Sequence, residues 1–581
     1  MRYLLVCLTL FALASAGVVT PDLANIMATS KADDLLPVFI RVTGDIDPSY
    51  IDAATAGMSM RDRRAFAVDV LKNLATETQM PILQVLKSYP EELVTGLHTN
   101  WLVNVISCET TVDIIRQMAS RGDVQFVSFR YAMSPMIEDM SQARPVESTD
   151  ADTWGVDKIN APAVWAMGYN GTGVLVADID TGCNYNHVDL ADHMWHDTPA
   201  GLHYGWDMEN GDGDPMDNNG HGTHTMGTIG SDGTAGTQCG VAPNATLMAV
   251  RVSVSVSPAA EQNVMDGFQW AIDHGADILS TSLGYIYSWN PQRALWRTAE
   301  QNMLAVGVHH AVAAGNEGPG APSIRCPGDC PPPWRHLPEQ VATGAFAAVV
   351  TVGATDSNDG IASFSSRGPV TWQSIAPWYD WDETPPDAGL IDPDVCAPGV
   401  GVISCNYANP YGYVSMDGTS MATPHVAGTM ALILDANPNL TPAQVDQILE
   451  ETAVDLGSSG KENIYGAGRI NAYAAVQAAL GVGVGQSAGT VPAPGLVISA
   501  VTPNPASSVA YFDLYTGNPN RITVTVYDIS GRSVALVAGG EMGVGSHSLS
   551  FVIPDGLANG VYVIRATSGS ASATSRLTVL R

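Results

Sequence analysis

Basic residues are scarce in this chain of 581 residues: 26 Lys and Arg stand against 58 Asp and Glu, a formal net charge of −32. A nucleic-acid binder needs a basic footprint, so that class is excluded. Long apolar runs are missing as well. Beyond a short stretch at the start, no segment approaches the ~20 apolar residues that cross a bilayer, so no membrane span is expected. What remains is an acidic, well-hydrated surface suited to hard cations on oxygen ligands. The apolar content of 45% suffices for sizeable cores. The length implies three or four domains.

Residues 1–16 have the form of a secretory signal peptide. Arg2 supplies the positive start, a short apolar stretch follows, and Ala14-Ser15-Ala16 makes a small-residue cleavage site. Export implies an environment that permits disulfides. Of the 8 cysteines, Cys7 would leave with the leader and Cys108 lies in a segment read below as removed. Six remain: Cys183, Cys239, Cys326, Cys330, Cys396 and Cys405. Cys326 and Cys330 close a short turn and are the first candidates for a pair, with zinc as the competing reading.

Residues 33–132 alternate between strand-like and helix-like patterns, with strands expected at 36–43, 101–106 and 124–129 and helices at 62–86 and 112–119. This matches a small split βαβ domain. A polar, proline-containing stretch at 133–152 reads as a linker. From 173 to about 480, apolar strands alternate with helices. That pattern implies a mostly parallel sheet covered on both faces, an α/β fold with ligands outside the carboxyl ends of the strands. After a Gly/Ser/Ala/Val/Pro-rich linker at 481–495, residues 496–581 show short alternating strands, expected to form a small β-sandwich.

Four residues in the body stand out. Asp180 ends a strand in Ile179-Asp-Thr-Gly182. His221 lies between glycines in Asn219-Gly-His-Gly-Thr-His224, and an imidazole with a pKa near ~6.5 suits a general base. Asn316 ends another strand in Ala314-Gly-Asn316. Ser420 follows Gly418-Thr419 at the foot of a small-residue helix, with Pro424 expected in its first turn. Each has an ordinary explanation alone: a turn for Asp180 and Asn316, a cap or metal pair for His221 with His224, and an N-cap for Ser420. Together, an acid, a base, an amide donor and a hydroxyl in Gly-rich contexts at element ends form a nucleophilic constellation.

The motifs Asp180-Thr-Gly, His221-Gly-Thr-His and Gly418-Thr-Ser-Met-Ala-Thr-Pro-His resemble the subtilisin-family serine proteases (subtilases), and the likeness covers residues 154–480. The wording around Asn210–His221 and Ala354–Pro369 is most similar to the bacillopeptidase F-like branch. The resemblance implies a subtilisin-like sheet and a secreted endopeptidase with polypeptide substrates and no catalytic cofactor. Ser420 would be the nucleophile, His221 the base and Asp180 its orienting acid, with Asn316 an oxyanion donor. Ser282, Leu283 and Gly284 would form the edge that pairs with substrate backbone. Structural Ca²⁺ is expected, with Asp189, Asp212 and Asp214 as ligand candidates.

By position, residues 17–140 are then an inhibitory propeptide of α+β type and 141–480 the peptidase domain, so the chain's own propeptide is an expected partner. The tail, with Asn504-Pro505, Tyr527–Arg532 and Leu557–Tyr562, resembles a type IX secretion-sorting or FlgD/immunoglobulin-like domain, which implies bacterial export to the surface or medium through secretion machinery. A carbohydrate-binding sandwich is the alternative. For the whole chain, the rival from another class is a binding protein on an inactive subtilase scaffold.

Overall fold

The structure, a computed structural model, describes residues 17–46, 48–149, 151–252, 254–335, 346–381, 389–481, 496–498, 501, 506–516, 520–528, 532–542, 545–554, 556–568 and 571–580. The expected leader, nearly all of the linker at 481–495 and Asn504-Pro505 lie outside these residues. The chain forms two compact units, residues 1–484 and 485–581.

The first unit is built on a seven-stranded, all-parallel sheet. Its order is Gly205–Asp207, Thr246–Arg251, Leu175–Asp180, Ile278–Thr281, His309–Ala313, Val349–Thr355, Val395–Pro398. Side chains alternate between two cores, as strand geometry requires. Val176, Leu247 and Ala249 face a core shared with Ala422, Val426 and Met430 of the helix Thr419–Ala436. Ala177, Met248 and Val250 face the other side, against Phe268 of the helix Ala260–Asp273 and Trp296 of the helix Arg293–Val306. Helices therefore cover both faces, which is why these strands are apolar throughout.

The N-terminal domain belongs to the same unit. Its sheet runs Val18–Val19, Val124–Phe129, Leu36–Val42, Val105–Thr110, Val94–Asn100, with the long helix Met60–Leu86 and the helix Val112–Ala119. One expectation fails here. Residues 101–104 are not strand but the turn of a hairpin whose first strand, Val94–Asn100, the pattern concealed. The turn is apolar because it docks. Leu102 and Val103 are fully buried in the core shared with Phe268 and Trp296. Asn302 donates to the Leu102 carbonyl at 2.6 Å, and Asn100 donates to Asp266 at 2.9 Å. Arg64 and Asp277 add an ion pair at 2.6 Å.

The expected linker at 133–152 is equally well placed. Met133 exchanges two backbone hydrogen bonds with Ser257, Met136 pairs with Gly284, and Arg144–Val146 adds a strand to the hairpin Val402–Cys405/Tyr413–Met416.

All seven described cysteines are buried free thiols, including Cys326 and Cys330, so the expected pair is not formed. The second unit has a three-stranded and a four-stranded antiparallel sheet. Phe512 and Leu514 from one meet Val524, Ile564 and Leu577 from the other in a single core, the expected sandwich.

Candidate active site

Asp180 closes the strand Leu175–Asp180, near the middle of the sheet, where its carboxylate emerges at the carboxyl edge. His221 opens the helix His221–Gly230, and this helix start is fixed by Asp217. That carboxylate accepts from the Asn219, Gly220 and Thr223 N–H groups at 2.8–2.9 Å and from the Thr223 hydroxyl at 2.6 Å, satisfying donors a helix start leaves free. Gly222 lets the helix meet the sheet edge, because a Cβ there would lie 2.2 Å from the Gly182 carbonyl oxygen. The result is a buried pair, with His221 Nδ1 at 2.7 and 2.9 Å from the two Asp180 oxygens.

Ser420 is the second residue of the helix Thr419–Ala436; the N-cap is Gly418, so the hydroxyl is not spent on capping. It donates to the Ser282 carbonyl at 2.8 Å. Pro424 falls inside this helix and not in its first turn. Its missing N–H leaves the Ser420 carbonyl without an i+4 donor, and the Ser282 hydroxyl fills that role at 2.9 Å. Asn316 is oriented by Thr419, whose N–H and hydroxyl both donate to Asn316 Oδ1 at 3.0 Å. The Asn316 amide nitrogen is thereby turned into the same space as the Ser420 helix start.

That space holds a residue the sequence did not single out. Glu138 Oε2 lies 2.5 Å from His221 Nε2, and Oε1 accepts from Asn316 Nδ2 at 2.5 Å. Gly418 permits this approach, since a Cβ there would stand 2.2 Å from Glu138 Oε1. Burial opposes ionisation of Glu138, but hydrogen bonding and attraction to His221, with help from Ser420, hold it down at about 2. Burial likewise opposes the charged His221, yet Asp180 and then Glu138 outweigh it and raise the imidazole well above its ordinary value. His221 thus lies between two acidic side chains that favour its charged form. No local signal marks Glu138, which is 83 residues from His221 and 178 from Asn316 along the chain.

The expected substrate edge is occupied too. Met136 N–H donates to the Gly284 carbonyl at 2.9 Å, beside Ser282 and the buried Leu283. His224, the other half of the alternative metal pair, turns away. Its Nε2 hydrogen-bonds the Val402 carbonyl at 3.1 Å, and burial lowers its pKa to about 3.

The calcium candidates do not gather. Asp189 is buried and gives its two oxygens to the Ala235 N–H at 2.6 Å and the Tyr413 hydroxyl at 2.7 Å. Its nearest metal-capable neighbours are His187 and Cys405, nitrogen and sulfur donors, which do not suit calcium. His187 is itself engaged, accepting from the Asp189 N–H and donating to the Gly412 carbonyl. Asp212 and Asp214 are exposed turn formers that accept from the Asp214 and Met216 N–H groups respectively, and Asp214 also accepts from the Tyr185 hydroxyl at 2.8 Å. These three residues do not fit one calcium site.

Comparison with known proteins agrees with this geometry. Residues 171–468 match the subtilase family, Peptidase S8. The chain belongs to the subtilase family. It is 34% identical over 367 residues to an alkaline protease of Alkalihalobacillus alcalophilus, covering 63% of this chain and 80% of that one. Subtilisin Savinase of Lederbergia lenta is 35% identical over 324 residues, 56% of this chain and 98% of its own length. Bacillopeptidase F of Bacillus subtilis (strain 168) is 29% identical over 474 residues, 75% of this chain and 30% of the relative. This subtilase is accordingly a serine-type endopeptidase. Residues 500–580 match the secretion system C-terminal sorting domain, which makes it a secreted or cell-surface protein. Among the described residues no helix is long and apolar enough to cross a membrane.

Proposed function

We propose that the chain is the latent precursor of an endopeptidase that works through Asp180, His221 and Ser420 and frees itself by its own cleavage. The observation that carries this reading is the Glu138 carboxylate held between His221 Nε2 and Asn316 Nδ2. A base hydrogen-bonded to a carboxylate cannot take the Ser420 proton, and an oxyanion donor already engaged cannot stabilise a tetrahedral intermediate. Residues 17–132 anchor this plug through their contacts with the helices Ala260–Asp273 and Arg293–Val306.

Once Glu138 leaves, His221 Nε2 gives up its proton to solvent, and Ser420 Oγ then attacks the scissile carbonyl while Nε2 accepts the hydroxyl proton. Asp180 fixes the imidazole so that Nε2 faces the nucleophile and offsets the charge that forms. Asn316 Nδ2 and the Ser420 N–H bind the oxyanion, a donor of this kind contributing about 10²–10³ in rate. His221 then protonates the leaving amine, and water repeats the sequence in reverse to release the acyl group. The backbone edge at Ser282–Gly284 pairs with polypeptide of varied sequence, as it pairs with Met136 here.

The domain order follows the same reading: leader, propeptide, peptidase, linker and sorting domain, the last engaging secretion machinery. In this structure the carboxylates of Asp189, Asp212 and Asp214 are engaged in hydrogen bonds within the fold and do not converge on one another. The test is expression of the full chain beside Ser420→Ala. The wild type is expected to shorten itself and digest casein while the variant stays full length and inert. A wild type that does neither, matching its variant, refutes the reading.

A further inference from the structure

The linker crosses the cleft in a fixed register. Met133 pairs with Ser257 on one side and Met136 with Gly284 on the other, so this stretch lies as an added strand between two segments of the body. Antiparallel pairing advances two residues on one strand for each two retraced on the other. Carrying the Met136–Gly284 pair forward by two sets Glu138 opposite Ser282, whose carbonyl accepts the Ser420 hydroxyl. The peptide bond leaving Glu138 is therefore the one in register with the nucleophile.

Next to that position is a cation. Arg325 lies between the ends of two sheet strands. A Cβ on Gly284 would meet Arg325 Cβ at 2.9 Å, and one on Gly315 would meet Arg325 Cγ at 2.8 Å. Gly315 immediately precedes Asn316, so the two glycines make room for the Arg325 side chain beside the oxyanion donor. The guanidinium is almost fully buried. Its Nε and Nη2 bond Glu317 at 2.9 and 2.7 Å, and Nη1 donates to the Met136 carbonyl at 3.2 Å. These contacts use three of the five N–H donors an arginine carries, which leaves capacity for a second carboxylate in planar geometry. Glu317 is itself fixed by the Asn316 N–H and the Ser366 hydroxyl, so it holds the guanidinium in place. The charge of Arg325 already reaches Glu138, adding to the forces that favour its ionised form.

Resting on the protease reading above, we infer that this enzyme cleaves after acidic residues, that Glu138–Asp139 is its own maturation bond, and that Arg325 is the residue that selects the acidic side chain. In the latent state the Glu138 carboxylate sits on His221 and Asn316. For cleavage it turns toward Arg325; His221, no longer held charged by that carboxylate, gives its Nε2 proton to solvent, and the Glu138 carbonyl is presented to Ser420. Ser420 Oγ bonds to that carbonyl carbon as its proton passes to His221. The bond to the Asp139 nitrogen then breaks and that nitrogen takes the proton from His221. Water hydrolyses the ester, restoring Ser420 and leaving an α-carboxylate on Glu138. One residue thus serves as both plug and recognition element.

The test uses the full chain allowed to process, with intact mass and matched fluorogenic peptides built on Pro-Met-Ile-X-Asp-Met, where X is Glu, Gln, Leu or Lys. The mature body is expected to begin at Asp139. The Glu peptide is expected to exceed the Gln, Leu and Lys peptides in kcat/KM by about tenfold or more, one charge-assisted contact's worth. Arg325→Gln should erase that margin, bringing the ratio of the Glu to the Leu peptide in kcat/KM down to about one. A different mature N-terminus overturns the maturation bond, and wild-type rates on Leu or Lys equal to those on Glu overturn the specificity, whether or not the variant folds. A wild type inert toward every peptide and toward casein overturns the protease reading, and this inference with it.

Discussion

Ser282 and Ser420 exchange hydrogen bonds in both directions: Ser420 Oγ donates to the Ser282 carbonyl at 2.8 Å, and Ser282 Oγ donates to the Ser420 carbonyl at 2.9 Å. The second bond replaces the helical donor that Pro424 lacks. Ser282→Ala should therefore strand a buried carbonyl and cost about 1–3 kcal/mol. In the Pro424→Ala background a backbone N–H is available again, so the same change should cost clearly less. Thermal unfolding of the four variants, all on Ser420→Ala so that processing does not intervene, reads this coupling. Equal losses in both backgrounds would contradict it.

The Glu138–His221 contact makes a pH-dependent prediction. Glu138 is depressed from 4.5 to about 2, so its contribution is present above 4.5 and lost as pH falls toward 2. His221 is raised above 6.5, so its contribution is complete below 6.5 and lost as pH rises through the higher folded value. In Ser420→Ala chains, Glu138→Gln should then lower the melting temperature most between pH 4.5 and 6.5. It should also lower the pH at which His221 titrates, read by NMR. A His221 titration unmoved by the substitution would remove Glu138 from the site.

Much of this site was legible in the sequence and part was not, for physical reasons. Asp180, His221, Asn316 and Ser420 sit at or just past element ends, each within two residues of a glycine whose missing side chain leaves room for a close neighbour, so local chemistry advertised them. Glu138 carries no such mark. Its role arises only when a strand-like stretch is laid into a cleft assembled from residues far away in the chain. The same holds for the turn at 101–104, where apolar residues that serve docking imitate a strand. Aspartates 212 and 214 read alike as turn formers and as calcium ligands, because the two uses share oxygen chemistry; in the structure they accept the N–H groups of their own turn and the Tyr185 hydroxyl.

Glu261 predicts a second pH effect. It is fully buried, and burial pushes its carboxyl from 4.5 up to about 7 although the Gln292 N–H and Trp296 Nε1 donate to it. A raised carboxyl contributes stability below 4.5 that is lost as pH rises toward 7. Relative to Glu261→Gln, the wild type should lose about 3 kcal/mol across that interval, measured by urea unfolding at a series of pH values. Parallel curves for the two proteins would show that Glu261 is not the titrating group.

A buried cation sits among acidic side chains elsewhere in the body. Lys461 Nζ lies 2.8 Å from Asp394 and 2.5 Å from Glu450, all three nearly or fully inaccessible, with Asp446 adding a further acidic charge. Lys461→Met should cost about 3–5 kcal/mol because it leaves carboxylates buried without their partner. Its destabilisation should ease at acid pH, where those carboxyls protonate. A loss independent of pH would point to packing alone.

Asp189 gives the test of the calcium question. Asp189→Asn disturbs the bonds to Ala235 and Tyr413, and the fall in melting temperature should be the same with calcium added as with EDTA present. A fall seen only with calcium would place the ion there.

The most direct measurement of the central claim is labelling by a serine-reactive fluorophosphonate, followed by mass spectrometry, during maturation of the full chain. A latent Ser420 behind Glu138 predicts no label on the uncut precursor, label on Ser420 once the linker is cleaved, and none on Ser420→Ala. Equal labelling of Ser420 before and after cleavage, or label on another residue, would contradict the account.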